Sequence, residues 1–175
     1  MCNNYGNLPP EYSSPQTSQI VVLPIPYDMT SSWMKGADKG PDAIIDASAH
    51  MELYDIETDS EVFRKGIYTH NPVETDNPEE LIRTSSSIVT EFVASGKIVA
   101  SLGGEHTVSI GPVKACSKIF DNLSILHVDA HSDRRNEYEG DRYSHACVIA
   151  RISEYVNNIV SVGIRSMDAS ERDLL

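Results

Sequence analysis

The chain has 175 residues, with 26 Asp and Glu against 14 Lys and Arg, and carries a formal net charge of −12 at pH 7. Such a length suits one domain with a single sizeable core, and 40% hydrophobic residues are too many for a disordered chain. The acidity argues against nucleic acid or an anionic membrane surface as partner, because both repel a negative protein, and it is compatible with a small cationic substrate. Cys2, Cys116 and Cys147 are odd in number and far apart, which argues against a disulfide framework and a thiolate zinc site. No apolar run approaches the ~18 residues of a membrane span. The opening MCNNYGNLPPEYSS lacks the basic start and apolar core of a secretory signal, so a cytoplasmic protein is expected.

Residues 1–18, rich in Asn, Pro, Ser and Tyr, read as an irregular arm. Residues 19–26 form a short apolar run stopped by prolines, the pattern of a buried strand. A loop over 27–40 leads to Gly40-Pro41, where proline in a first turn opens a helix predicted to reach about Leu53. A short strand is predicted over 66–70. Asn77-Pro78-Glu79-Glu80 starts a helix, with an Asn cap, proline at the first position and acids at the positive end, and Gly96 ends it. Strands over 97–102, 122–129 and 158–164 alternate with helices over about 109–120 and 145–156. Strand and helix in alternation predict an α/β fold, a three-layer α/β/α arrangement around a mostly parallel sheet.

In such sheets ligands bind at the carboxyl ends of the strands. Two predicted strand ends carry unusual polar residues, Gly103-Gly104-Glu105-His106 and His127-Val128-Asp129-Ala130-His131-Ser132-Asp133. Residues two apart in extended chain point to one side, so Asp129, His131 and Asp133 are expected to converge, with His106 reaching the same spot. A single histidine at a strand end is usually structural, but four acid and imidazole groups beside an apolar strand are costly to desolvate without a cation. Imidazole and carboxylate without thiolate suit Mn²⁺, Fe²⁺ or Zn²⁺, and a carboxylate can bridge two metals. The glycines are expected to let the backbone turn sharply before His106. His127 lies inside its strand and reads as core, or as a group orienting a ligand.

LGGEHTVSIGPVKA followed by LHVDAHSDRRNEYEGDRYSHACVIAR resembles the ureohydrolases, the arginase and agmatinase group, as do VLPIPYDMTSSWMKGADKGPDAIIDAS and GIRS at 163–166. The extended DAHSD segment is more similar to agmatinases than to arginases. The resemblance implies that residues 19–175 are the N-terminal part of a single arginase-like α/β domain, truncated relative to the family. It implies a site with two Mn²⁺ ions, His106 and Asp133 on one, His131 on the other, and Asp129 bridging. His145, in Ser144-His145-Ala146, then matches the histidine beside the substrate that transfers protons, with Asp129 as a second proton carrier. From the residues alone His145 is equally a solvent-exposed helix start. Glu105 stands where relatives often have Asp and reads as an acid supporting the ligands or shaping the turn; Asp141 and Tyr143 lie nearby with no role assigned.

The activity implied is hydrolysis of a guanidinium substrate, agmatine to putrescine and urea. Arginase, guanidinobutyrase and formiminoglutamase activities are the alternatives within the family, and a non-catalytic subunit the alternative outside it. The resemblance also implies a homo-oligomer, trimer or hexamer, when intact. The family's later Asp-x-Asp strand, which completes both metal spheres, has no counterpart after Asp133. An open sheet edge, an uncovered helix face and weak metal binding are therefore expected. A metallo-β-lactamase-like site needs His-x-His-x-Asp-His, which HVDAHSD does not match.

Overall fold

The computed structural model describes residues 4–174, so Cys2 and the first three residues of the expected arm lie outside the described residues. Five strands, β1 (Ile20–Ile25), β2 (Ile67–Thr69), β3 (Ile98–Gly103), β4 (Ser124–Val128) and β5 (Asn158–Val162), alternate with four helices, α1 (Gly40–Ser48), α2 (Pro78–Ala94), α3 (Ile110–Ser117) and α4 (Val148–Ile152). Every strand pairing is parallel, as the apolar runs separated by helices predict.

The strands form two sheets, of order β2-β1-β3 and β4-β5. β1 lies centrally in the first sheet, with Ile20 to Ile25 in register with Ile98 to Gly103 on one side and Ile20 to Val22 with Ile67 to Thr69 on the other. The chain steps outward from β1 to β2 and then back across β1 to β3. Parallel pairing requires a crossover between successive strands, and α1 and α2 supply the two crossovers of this sheet. Leu23 and Ile25 meet Leu81, Val89, Val108 and Ala115 in one core cluster. A second cluster joins Ile82 and Ile110 to Val148, Ile149 and Ile152, with Ile125 and Ile159 packed against it, so α2 ties the two halves of the core together.

α2 begins as its sequence dictates: the Asn77 side chain accepts a hydrogen bond from the Glu80 N–H at 2.9 Å, and Pro78 fills the first turn. Three other helices are shorter than their apolar spacing predicts. α1 stops at Ser48, not near Leu53, and residues 49–60 form turns closed by an Asp55–Ser60 bridge. α3 and α4 are each preceded by a 3-10 turn, His106–Ser109 and His145–Cys147, and end at Ser117 and Ile152. In the described part of the arm, 3-10 turns cover Tyr5–Asn7 and Pro10–Tyr12. It docks through Tyr5 N–H to Thr69 Oγ1 at 2.8 Å and Gly6 N–H to Ser48 Oγ at 2.7 Å, and Leu8 is buried.

One uncovered apolar surface is a face of the second sheet. Leu126, Val128, Val160 and Val162 alternate along β4 and β5 and are 68%, 73%, 55% and 50% exposed. An apolar cavity of about 290 Å³ lies between the two sheets, lined by Ile98 and Val99 on one side and Leu123 and Ile125 on the other. No helix among the described residues is long and apolar enough to cross a membrane.

Candidate metal centre

His106 opens the 3-10 turn that follows β3, and Asp129 follows β4 directly, so both sit at carboxyl ends of parallel strands. The two glycines before His106 provide space, not an unusual backbone angle, since neither Gly103 nor Gly104 has positive φ. A Cβ on Gly104 would lie 2.1 Å from the Tyr27 carbonyl oxygen, and one on Gly103 2.3 Å from a Val108 methyl. Close strand–turn packing therefore brings His106 in toward Asp129.

Three donors converge. His106 Nδ1 hydrogen-bonds Asp133 Oδ2 at 2.7 Å, its Nε2 lies 3.6 Å from Asp129 Oδ2, and ligand atoms of the three residues all lie within 4.8 Å of one another. His131 stands on the far side of Asp129, its Nδ1 3.4 Å from Oδ1, and is exposed. Asp129 thus faces His106 with one oxygen and His131 with the other. Strand alternation does not produce this arrangement: His131 forms a parallel bridge to Ser166, and Asp133 adopts a left-handed φ of 49°. Asp takes that conformation more readily than most residues. The bend is gripped from both sides. The Asp133 carbonyl accepts from Ile149 N–H at 2.9 Å, at the start of α4. The buried Glu171 carboxylate accepts from the Ser132 hydroxyl at 2.6 Å and the Arg134 N–H at 2.7 Å.

Electrostatics follow from these contacts. The hydrogen bond to Asp133 raises the His106 pKa above the ordinary imidazole value against the opposing effect of burial, with Asp133, Asp129 and Glu105 adding their charge. Burial alone would raise Asp129, but the His131 N–H and the neighbouring histidines hold its carboxyl below the usual range. Burial lowers His127, despite Asp129 at 3.8 Å, and its Nδ1 lies 3.2 Å from Ser161 Oγ. His127 is thus a neighbour of the cluster within β4.

His106, Asp129, His131, Asp133 and His145 line one open cavity of about 580 Å³, which also receives Tyr138, Asp168 and Glu171. His145 does not approach the three converging donors; its partners are Thr30 Oγ1 and Ser144 Oγ, each 3.4 Å from Nδ1. Glu105 combines both expected roles: it accepts from Thr107 N–H at 2.7 Å, which shapes the turn, and from the Thr30 hydroxyl at 2.9 Å. Asp141 and Tyr143 belong to a turn, with Tyr143 N–H donating to Asp141 Oδ1 at 2.7 Å. Thr30 and Glu171 escaped sequence reading, because an isolated Thr in a loop and an acid near a helical turn carry no local pattern.

A set of imidazole and carboxylate donors with no thiolate, held by buried neighbours and partly open to a cavity, fits a hard or borderline divalent cation such as Mn²⁺. Parallel strands with acid and imidazole donors at their carboxyl ends define an α/β domain with a candidate metal site at the ligand-binding edge of the sheet. The arginase family model matches residues 18–175, and the chain belongs to that family. It is 36% identical over 165 residues to the N(1)-aminopropylagmatine ureohydrolase of Synechocystis sp., covering 89% of this chain and 54% of that protein. The agmatinase of Halalkalibacterium halodurans is 33% identical, covering 88% of this chain and 55% of that protein. The agmatine ureohydrolase structure of Thermoplasma volcanium superposes with a TM-score of 0.85 at 34% identity, over 90% of this chain and 54% of that one. The chain spans about half the length of the curated relatives it matches.

Proposed function

We propose that this chain carries the N-terminal part of a manganese-dependent ureohydrolase site that hydrolyses a guanidinium group, with agmatine as substrate and putrescine and urea as products. The observation that carries this reading is the position of Asp129 between His106 and Asp133 on one side and His131 on the other. His106 and Asp133 would hold one metal ion, His131 a second, and Asp129 would bridge. Such a pair supplies hydroxide at neutral pH by lowering the pKa of bound water. His145, across the same cavity, binds the substrate side and passes a proton to the leaving amine, with Asp129 as a second proton carrier. A cationic substrate tail suits the net charge of −12.

The higher identity to aminopropylagmatine ureohydrolases supports a second reading, in which the substrate carries an added aminopropyl group. The intact enzyme is a cytoplasmic homo-oligomer, trimer or hexamer, in this reading, with neither nucleic acid nor membrane as partner. Alone, this chain offers three donors to one ion and two to the other, so it binds Mn²⁺ weakly and turns over poorly. The test is urea release with Mn²⁺ and agmatine, aminopropylagmatine, arginine, guanidinobutyrate or formiminoglutamate. Complementing the chain with the unmatched part of a relative should produce Mn²⁺-dependent urea from the first or second substrate, lost in His131→Ala. Activity unchanged by His131→Ala would overturn the metal assignment.

A further inference from the structure

We propose that Thr30 and Glu105 are positioning residues for His145: together they hold its imidazole as the Nδ1–H tautomer and leave Nε2 as the nitrogen that exchanges a proton. What Nε2 then does rests on the reading above; the tautomer itself does not.

The argument is a count of hydrogens. The Glu105 carboxylate is buried and accepts twice, from Thr107 N–H at 2.7 Å through Oε2 and from the Thr30 hydroxyl at 2.9 Å through Oε1. Thr30 has one hydroxyl hydrogen, and this contact uses it. The remaining capacity of Thr30 Oγ1 is two lone pairs. One accepts the backbone N–H of His145 at 2.8 Å. The other faces His145 Nδ1 at 3.4 Å, where only a proton on nitrogen makes the contact attractive. Ser144 Oγ, also 3.4 Å from Nδ1, is both donor and acceptor, so its contact fits either tautomer and the selection comes from Thr30.

Two further features keep the pair in place. Tyr138 stands nearly perpendicular to the His145 ring, at 84° with 6.1 Å between centroids, which limits its rotation. The loop bearing Thr30 is clamped by the buried Asp28, which accepts from Gly36 N–H at 2.6 Å, Ala37 N–H at 3.0 Å and the Ser31 hydroxyl. Burial alone would raise the Asp28 carboxyl, but these hydrogen bonds hold it below its usual range and ionised as a clamp. Thr30 thus links Glu105, at the turn after β3, to His145, at the start of a later 3-10 turn 40 positions on.

The test is a long-range ¹H–¹⁵N correlation spectrum of the ¹⁵N-histidine-labelled chain at a pH where imidazoles are neutral, with the His145 signals identified by their loss in His145→Asn. The expected spectrum shows His145 Nδ1 at a protonated-nitrogen shift and Nε2 at a bare-nitrogen shift. Thr30→Val should lose that pattern and move toward Nε2–H, the form free side chains favour, and Thr30→Ser should restore it. Glu105→Gln turns the Thr30 hydrogen toward Nδ1 and should produce the same change, so the readout survives if Thr30→Val does not fold. A wild-type Nε2–H pattern, or a pattern unmoved by both Thr30→Val and Glu105→Gln, overturns the inference. Absence of urea release in the complemented enzyme would count against the proposed activity and leave this tautomer standing.

Discussion

β1, at the centre of the first sheet, and β4 and β5, which make the second, are buried differently. In β1 every residue from Val21 to Ile25 is buried, because this central strand has a paired strand on each side and cover on both of its faces. In β4 and β5 only Ile125, His127, Ile159 and Ser161 turn inward, and the alternate face of Leu126, Val128, Val160 and Val162 is exposed. Parallel strands normally have helices on both faces and read as continuous apolar runs. Apolar residues on both faces of a strand therefore report how a sheet is meant to be covered. Burial in this chain reports how much of that cover its described residues supply.

Truncating a side chain in each sheet breaks the comparison most directly. Leu23→Ala opens a cavity in the fully buried centre of β1 and should cost about 2–5 kcal/mol, a large part of an ordinary domain's stability. Leu126→Ala, at an exposed position of β4, should stay within about 0.5 kcal/mol. Urea unfolding followed by circular dichroism measures both. Equal losses would mean that the outer face of β4 is covered in solution.

The candidate metal centre joins the two sheets, since His106 follows β3 and Asp129 and Asp133 follow β4. Asp133→Asn removes a charged donor while keeping the shape. Altering a group that only orients a ligand costs roughly 10–100-fold in metal affinity, and a direct donor should cost at least the upper end of that range. Mn²⁺ titration followed by electron paramagnetic resonance should show that loss for Asp133→Asn and His106→Ala. A smaller loss is expected for His127→Gln, whose side chain stays within β4. Equal losses at the three positions would dissolve the distinction between donor and neighbour.

His106 makes the same junction sensitive to pH. Its folded-state pKa is raised, chiefly by Asp133, so the metal-free chain gains stability that is fully present below the unfolded imidazole value of about 6.5 and is lost as pH rises through the folded value. Mn²⁺ needs the neutral ring and works in the opposite sense. Affinity should climb by up to about tenfold per pH unit below the folded value and level off above it, provided one proton is displaced. The added stability on Mn²⁺ binding, read as a shift in Tm, should be larger at pH 8 than at pH 6. In His106→Asn this part of the difference should vanish.

Much of this was legible in the chain because it is written in local patterns. The Asn77 cap, the prolines at 41 and 78 and the apolar runs marked element starts. The acids and imidazoles crowded after two strand ends marked the place of the cluster, but the alternation expected to bring Asp129, His131 and Asp133 together is not what assembles it. Endings were less legible: apolar residues past Ser48 and Ile152 mimic helical spacing, although the backbone turns away there. The purpose of Gly103 and Gly104 was also misread, because a clash with Tyr27, 77 positions earlier than Gly104, leaves no trace in a local motif. Thr30 and Glu171 act the same way, through partners distant in sequence that only folding brings near.

The uncovered face can also be tested as a whole. Replacing Leu126, Val128, Val160 and Val162 together by Thr keeps side chains that suit a pleated strand and removes much of the apolar surface of this face. A face in contact with water gains nothing from being apolar, so the four changes together should alter stability by only about 1 kcal/mol. Apolar patches of this kind favour association, so the substituted chain should be less prone to form higher species at high concentration, measured by light scattering. A loss of several kcal/mol that depends on protein concentration would mean that copies of the chain already cover one another at this face. The contrast between the two sheets would then belong to the isolated fold and disappear in the assembly.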